Sequence, residues 1–448
     1  MSVTVKIKAQ ARVVRRTTSV CPVCLERVAA VVVRRRDGHF MEKTCAEHGF
    51  FSTVVWRGVD LSYEGWAAGY SPPADGERNI PDCPNACGLC AGHLQKTCCV
   101  LVEITSRCDL SCPVCFAQSG GNATEPSVSA LFSQFRQLVE DGNTFVQLSG
   151  GEPTMREDLV DIVSAAKKAR CENIQLNTNG IRLGMDKTYA KTLREAGLSF
   201  VFMQFDGTED EIFTTLRGRP MLNEKKAAIA NCAEASLGVT LVPTLVPGVN
   251  EHNIGYIVYF GFSNSPVVRG VHFQPISYIG RYPHPPANED RITLPEVLIE
   301  IEKQTGGKVG ISDFAPSRCD HPYCGFHGDF VVLPKKAIMK LTQKTTATCC
   351  SDDEHLKNRS FVARRWNRSE QSEADSNDND DFNELNAFAK RLKSHGFTIT
   401  AMAFQDAYNL DIERLRRCSL HVSSGGRMTP FCAKYLTRAS RQEERREL

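Results

Sequence analysis

Residues 98–117 read CCVLVEITSRCDLSCPVCFA. The first eight, CCVLVEIT, form an apolar run of strand length. Immediately after it stand Cys108, Cys112 and Cys115, spaced C-x3-C-x2-C. Three thiolates can hold a cubic iron–sulfur cluster and leave one of its irons without a protein ligand, whereas a fully ligated cluster takes four cysteines. An open iron is what a chelating cosubstrate requires. A cysteine loop at the end of a strand therefore predicts a catalytic metal centre.

Outward from this stretch, strand-like and helix-like segments alternate from about 99 to 281. Candidate strands are 99–105, 144–149, 173–178, 200–206, 239–246 and 267–274. Helical patterns such as 127–142 and 156–171 lie between them, with Ser127 and Thr154 placed as N-caps. Six β-α units in succession predict an α/β fold, a parallel sheet with right-handed crossovers curled into a partial (β/α)6 barrel. Sites in such barrels lie at the C-terminal ends of the strands, where the cysteine loop falls.

The next strand ends carry further polar groups: Gly150, Gly151, Glu152 and Pro153 after the second, Asn177 and Asn179 (in NTNG) after the third, Gln204 and Asp206 (in MQFDG) after the fourth. Glycine permits close backbone approach and proline stiffens the exit. The cysteine triad followed by GGEP resembles the radical S-adenosylmethionine (SAM) family. The resemblance implies that SAM chelates the open iron of a 4Fe-4S cluster bound by Cys108, Cys112 and Cys115. It further implies that GGEP receives the SAM amino group and that NTNG reaches its ribose and carboxylate. For Gln204 and Asp206, contact with SAM or substrate and simple capping of a strand end are both open.

Upstream, residues 17–56, within a first unit 1–60, hold Cys21-x2-Cys24, a hairpin turn at Asp37-Gly38, and Cys45-x2-His48. Three sulfurs and an imidazole form a closed tetrahedral set, the pattern of a structural zinc-ribbon or rubredoxin-like knuckle; the histidine favours zinc over mononuclear iron. Residues 61–98 are irregular and contain a second triad, Cys83, Cys87 and Cys90, with the same spacing as the first. No strand precedes it, so it is read as an auxiliary iron–sulfur segment that needs a distant fourth ligand.

Downstream, 282–350 is a Cys/His-containing extension with CDHPYC (Cys319, His321, Cys324) and Cys349-Cys350. Residues 351–382 are acidic and read as a flexible insert. Residues 383–448 are expected to form an α+β region with a helix, the strand FTITAMAF, a helix near LDIERLRRC, and Cys418, His421 and Cys432. Cys319, Cys324, Cys418 and Cys432 are the candidate auxiliary ligands, and His321 and His421 are weighed as ligands or as structural side chains. Cys171 and Cys232 read as buried hydrophobes. Cys98, Cys99, Cys349 and Cys350 are open between ligand, redox pair and packing. Tyr278, Arg281 and His284 are either pocket residues or surface loop residues.

CPNACGLCAGH, FQPISYIGR, CDHPYC, FQDAYNLDIERLRRC and PFC occur in this order. Together with the knuckle and core they resemble the tetraether lipid synthase family, first named as dihydropterin methyltransferases. That resemblance implies one or two auxiliary 4Fe-4S clusters, a low-potential donor such as ferredoxin or flavodoxin, and chemistry at unactivated carbon on a lipid or small metabolite. Val114, where an aromatic is frequent, and the acidic insert depart from the pattern.

Bulk composition narrows the alternatives. The chain has 448 residues, 42% hydrophobic and 24% charged, a formal net charge of +2 and 19 cysteines. That length calls for two or three units. Near-neutral charge gives no electrostatic ground for nucleic acid. No apolar run reaches membrane-spanning length and no signal-peptide pattern opens the chain, so a cytoplasmic location is expected and the cysteines read as metal ligands. Two non-catalytic readings stand beside the enzyme. A zinc-binding interaction protein predicts colourless protein; an iron–sulfur electron carrier predicts no SAM binding.

Overall fold

The computed structural model describes residues 12–58, 61–68, 83–84, 88–90, 92–120, 125–317, 319–341 and 380–438. Cys87, Cys349, Cys350 and nearly all of the acidic insert lie outside the described residues.

The N-terminal unit is a four-stranded antiparallel meander of β1 (Arg12–Val20), β2 (Arg27–Arg35), β3 (Gly38–Cys45) and β4 (Gly49–Trp56). In a meander the first and third turns fall at the same end of the sheet. The Cys21–Cys24 turn and the Cys45–His48 turn are thereby stacked.

All six predicted core strands are present, in order and parallel: β5 (Cys99–Thr105), β6 (Phe145–Gly150), β7 (Asn173–Thr178), β8 (Phe200–Gln204), β9 (Gly238–Val242) with the short β10 (Thr244–Leu245), and β11 (Val268–Pro275). β5, β8 and β9 are largely apolar, whereas β6, β7 and β11 carry Gln147, Gln175, Asn177 and His272 on the cavity side. The stretch predicted as one strand over 239–246 is divided at Pro243, which has no N–H to give to a ladder. The helix Val128–Glu140 covers the sheet with Leu131, Phe135 and Leu138, one stripe of a 3.6-residue period. Ser127 caps it as expected, accepting from Ala130 N. Thr154 does not cap the next helix. It lies inside a 3₁₀ turn, Pro153–Met155, capped by the Glu152 side chain, and the helix begins at Leu159. Cys171 and Cys232 are buried, as expected.

Beyond the core stand β12 (Ala315–Pro316), β13 (Gly325–Val332), β14 (Ile338–Lys340), β15 (Gly396–Met402), β16 (Leu420–Ser424) and β17 (Arg427–Pro430). The C-terminal α+β region joins the core sheet instead of standing beside it. β15 pairs in parallel with β11 at one edge, and β16 pairs in parallel with β5 at the other. The sheet order is β12-β13-β15-β11-β9-β8-β7-β6-β5-β16-β17. Antiparallel β13 and β17 flank the parallel strands, and no pairing among the described residues closes the sheet on itself. No helix among the described residues is long and apolar enough to cross a membrane.

Candidate active site and metal centres

At the ribbon end, Cys21, Cys24, Cys45 and His48 bring their ligand atoms within 4.8 Å of one another. Cys24 Sγ lies 3.9 Å from Cys45 Sγ, and Cys45 Sγ lies 3.4 Å from His48 Nδ1. Tetrahedral Zn–S bonds of ~2.3 Å put sulfurs ~3.8 Å apart, so the donor set fits a single ion. The hydrogen bond from His48 lowers the Cys45 thiol to about 6, while burial raises Cys21 to about 11. Metal binding here must therefore release protons. Cys45→Ser is expected to remove one metal equivalent per chain and lower the ribbon's melting temperature, read by elemental analysis and calorimetry.

The cysteine loop leaves β5 and is held from several sides. Gly151 N donates to Thr105 O (2.8 Å) and Glu152 N to Arg107 O (2.7 Å), so the GGE backbone is bonded to the start of the cysteine loop. A Cβ on Gly150 would lie 2.1 Å from Thr105 O and one on Gly151 2.0 Å from Arg107 O. No other residue permits that approach. The buried Glu152 carboxylate takes four donors: Thr154 N (3.0 Å), Thr154 Oγ1 (2.7 Å) and Thr178 Oγ1 (2.7 Å) on Oε1, and Asn179 N (2.6 Å) on Oε2. Burial raises its pKa and these donors oppose the rise. Asn179 Nδ2 donates to Asp109 Oδ1 (2.6 Å), which ties NTNG to the cysteine loop as well.

From the far edge of the core, the backbones of Cys115 and Arg281 exchange two 2.9 Å hydrogen bonds. The Arg281 guanidinium donates to Cys112 O and Ser119 O, both at 3.1 Å. Arg281 is thus a clamp on the cysteine loop and not a cavity wall. Tyr278 is buried with its hydroxyl donating to Asp290 O, and His284 is exposed. Arg281→Met is expected to cost about 2–3 kcal/mol through lost charge-assisted bonds. Iron retention after gel filtration should fall, while the ribbon metal is unchanged.

A cavity of about 380 Å³ opens on this loop and is lined by all three cysteines, by Gly150, Gly151 and Glu152, and by Asn177, Asn179 and Gln204. Pro153 lies behind it, starting the 3₁₀ turn. Asp206 is fully buried and does not line it. Its carboxylate receives Arg217 Nε and Nη2, both at 2.7 Å, and Thr244 N. The strand-end reading therefore describes Asp206. The cavity-facing group at that level is Arg217, with Gln204 as its acceptor at 3.0 Å. An arginine at the end of an amphipathic helix carries no local signal, which is why the sequence did not disclose it. The same holds for Lys225, fully buried behind the site with its ammonium on Asn179 O; burial lowers it to about 8, opposed by Asp206.

Deeper in the barrel the wall is a row of neutral polar groups. Gln175 Nε2 donates to Asn177 Oδ1 (2.5 Å), and Asn177 Nδ2 reaches Gln147 Oε1 (3.4 Å). His272, held by Thr400 Oγ1 at 2.7 Å and lowered to about 4 by burial, faces them. Cys98, Cys99, Cys319 and Asp320 line the cavity too.

Cys324 stands just before β13, Cys418 just before β16 and Cys432 just after β17, and segment 403–414 touches the first and the last through Arg414 Nη2 and Gln405 N. Burial raises all three thiols; Cys418 feels Asp320, Cys432 and Cys324, and Cys432 feels Cys324. Asp320 receives Ser419 N and Oγ, both at 2.8 Å. Cys83 packs in the same apolar cluster as Cys432, and Cys90 is exposed. Cys319 faces the cavity. His321 accepts from Tyr323 N, and His421 bonds Thr97 and His93, so both have structural partners.

The comparisons agree with this anatomy. Residues 102–258 match the family model described as radical SAM superfamily, and residues 13–57 match the HMPTM N-terminal zinc ribbon domain. The chain is 30% identical to a 7,8-dihydro-6-hydroxymethylpterin dimethyltransferase of Methanocaldococcus jannaschii, over 93% of this chain and 92% of that protein. It is 29% identical to a GTP 3',8-cyclase of Corynebacterium glutamicum, over 52% of this chain and 61% of the other. Among solved structures, Streptococcus suis SuiB bound to its precursor peptide SuiA aligns with 47% of this chain and 46% of its own, at 15% identity and a TM-score of 0.41. With a strand-end cysteine triad bonded to GGE, a four-ligand knuckle ahead of it and a relative matched nearly end to end, the chain belongs to the radical SAM superfamily, in the group that carries an HMPTM-type N-terminal zinc ribbon.

Proposed function

We propose that this protein cleaves SAM reductively and uses the resulting radical to abstract hydrogen from an unactivated carbon, leading to carbon–carbon bond formation or carbon-group transfer. The observation that carries this reading is the union of the Cys108, Cys112, Cys115 loop with Gly151 and Glu152 at the mouth of one cavity. A 4Fe-4S cluster held by Cys108, Cys112 and Cys115 would pass one electron from a ferredoxin- or flavodoxin-like donor to bound SAM, supplying methionine and a carbon-centred radical that would leave as 5'-deoxyadenosine after taking a hydrogen atom.

The chain's own residues supply position and shelter. Glu152 Oε2 has one acceptor position left after Asn179 N, and Glu152 lines the cavity; it is suited to an ammonium group. Arg217 and Gln204 are suited to the SAM carboxylate or ribose. The amide row of Gln147, Gln175 and Asn177, with His272, offers hydrogen bonds to a polar substrate head, and Leu101, Phe145, Phe202 and Phe404 offer apolar surface to the rest. Cys324, Cys418 and Cys432 are the ligands we assign to an auxiliary cluster that passes electrons or holds an intermediate, with Cys83, Cys87 and Cys90 as a further set.

Anaerobically reconstituted protein with dithionite and SAM is expected to yield 5'-deoxyadenosine. Parallel incubations with 7,8-dihydro-6-hydroxymethylpterin and with long-chain lipids, read by mass spectrometry, separate the two substrate classes. Absence of 5'-deoxyadenosine from brown, iron-loaded protein would overturn the assignment.

A further inference from the structure

The zinc ribbon reaches the candidate auxiliary cysteines through loop 403–411, through the short helix that follows, Ile412–Leu415, and through Tyr323 beside Cys324, which meets Arg15 and Trp56. Three ribbon side chains hold that loop. Arg15 pairs with the Asp411 carboxylate, Thr17 Oγ1 donates to Asp411 Oδ1 at 2.7 Å, and Lys43 Nζ donates to Ala407 O at 2.7 Å. Asp411 is fully buried. Its own N–H donates to Gln405 Oε1 (2.8 Å), and its Oδ1 caps the helix at Glu413 N (3.1 Å).

The other side of the same loop meets sulfur. Gln405 N points at Cys432 Sγ (3.2 Å). Arg414, one turn into the helix that Asp411 caps, places Nη2 3.6 Å from Cys324 Sγ and 3.1 Å from Ala403 O. Its Nε is buried and has no hydrogen-bond partner. Asp411 therefore fixes both N–H donors that face these two sulfurs: Gln405 through its side chain, and Arg414 through the helix start. Hydrogen bonds to cluster sulfurs are among the principal controls of iron–sulfur potential.

We propose that β1 of the ribbon is the support of the auxiliary cluster, with Arg15 and Thr17 as positioning residues that act through Asp411 on the donors to Cys324 and Cys432. This rests on the auxiliary-ligand assignment above. The ribbon metal then has a task beyond folding its own knuckle: it anchors the strand that sets the environment of a second metal centre. Removing the two ribbon contacts leaves the buried Asp411 carboxylate without its ion-pair partner and with Glu413 N as its donor, the helix start shifts, and the N–H···S bonds lengthen. The cluster becomes harder to reduce.

The test uses full-length, anaerobically reconstituted protein and EPR-monitored redox titration, with iron and sulfide counted per chain. In Arg15→Met/Thr17→Val, one auxiliary signal is expected to shift to lower potential by about tenfold in its reduction equilibrium, about 59 mV for one electron. The response of the SAM-binding cluster to SAM should be unchanged. Arg15→Lys, which keeps the ion pair, should restore the wild-type potential. Arg35→Met, which breaks the ribbon's own pair with Glu42, should shift nothing. Single Thr17→Val serves if the double variant does not fold and should give a smaller shift of the same sign. An unchanged potential, or an equal shift in Arg35→Met, overturns the proposal. Cys324→Ala and Cys432→Ala keep the two ideas apart. If they leave iron content intact, the ligand assignment is wrong; if they lower it while the ribbon variants shift nothing, only the coupling is wrong.

Discussion

Alanine at any one of Cys108, Cys112 or Cys115 is expected to reduce SAM cleavage to background and remove about four irons per chain, with the ribbon metal retained. The three sulfurs share one loop, and alanine at any one of them leaves that loop only two ligands. The candidate auxiliary cysteines Cys324, Cys418 and Cys432 lie beside β13, β16 and β17 instead. Burial raises Cys108 to about 11, so at neutral pH it is a thiol until iron displaces the proton. A loop that loses one ligand also loses the driving force for the remaining deprotonations. The measurement is 5'-deoxyadenosine formed with dithionite, beside iron and zinc content. Normal turnover in any of the three variants would remove the basis of the proposed function.

Gly151→Ala is expected to be nearly as damaging without touching a ligand. The new methyl would meet Arg107 O at 2.0 Å, and both partners are backbone. Neither can swing away, so β6 and the cysteine loop must separate. That breaks Gly151 N to Thr105 O and Glu152 N to Arg107 O, the two bonds that set their spacing. Overpacking of this kind costs about 3 kcal/mol. A displacement near 1 Å between cofactor and cluster loop costs about 100-fold in rate. SAM cleavage should fall by that order while iron content falls less. The reverse pattern, full activity with a lower melting temperature, would mean that the contact supports the fold and not the site.

Much of the core was legible because its signals are local. The parallel strands are short segments rich in buried apolar residues, and crossover helices such as Val128–Glu140 repeat with a period that their own residues display. Ser127 capped as its position foretold. Thr154 did not, because Pro153 and the Glu152 carboxylate organised a 3₁₀ turn first. Asp206 and Gln204 looked equivalent in the chain. The structure separated them, since Asp206 is consumed by Arg217 while Gln204 remains on the cavity wall. The C-terminal strands looked like a separate region, but an edge strand carries no mark of which sheet it will join.

The sequence by itself determined the knuckle, the strand-end cysteine triad and the GGEP turn, because in each the chemistry and the spacing lie within a few residues. Tertiary structure alone decided that β15 and β16 extend the core from both edges, that Arg281 clamps the cysteine loop, and that the ribbon holds the loop carrying Ala407 and Asp411. Arg15 and Asp411 stand 396 residues apart. A buried ion pair at that separation is created by packing, and no local pattern in either segment encodes its partner.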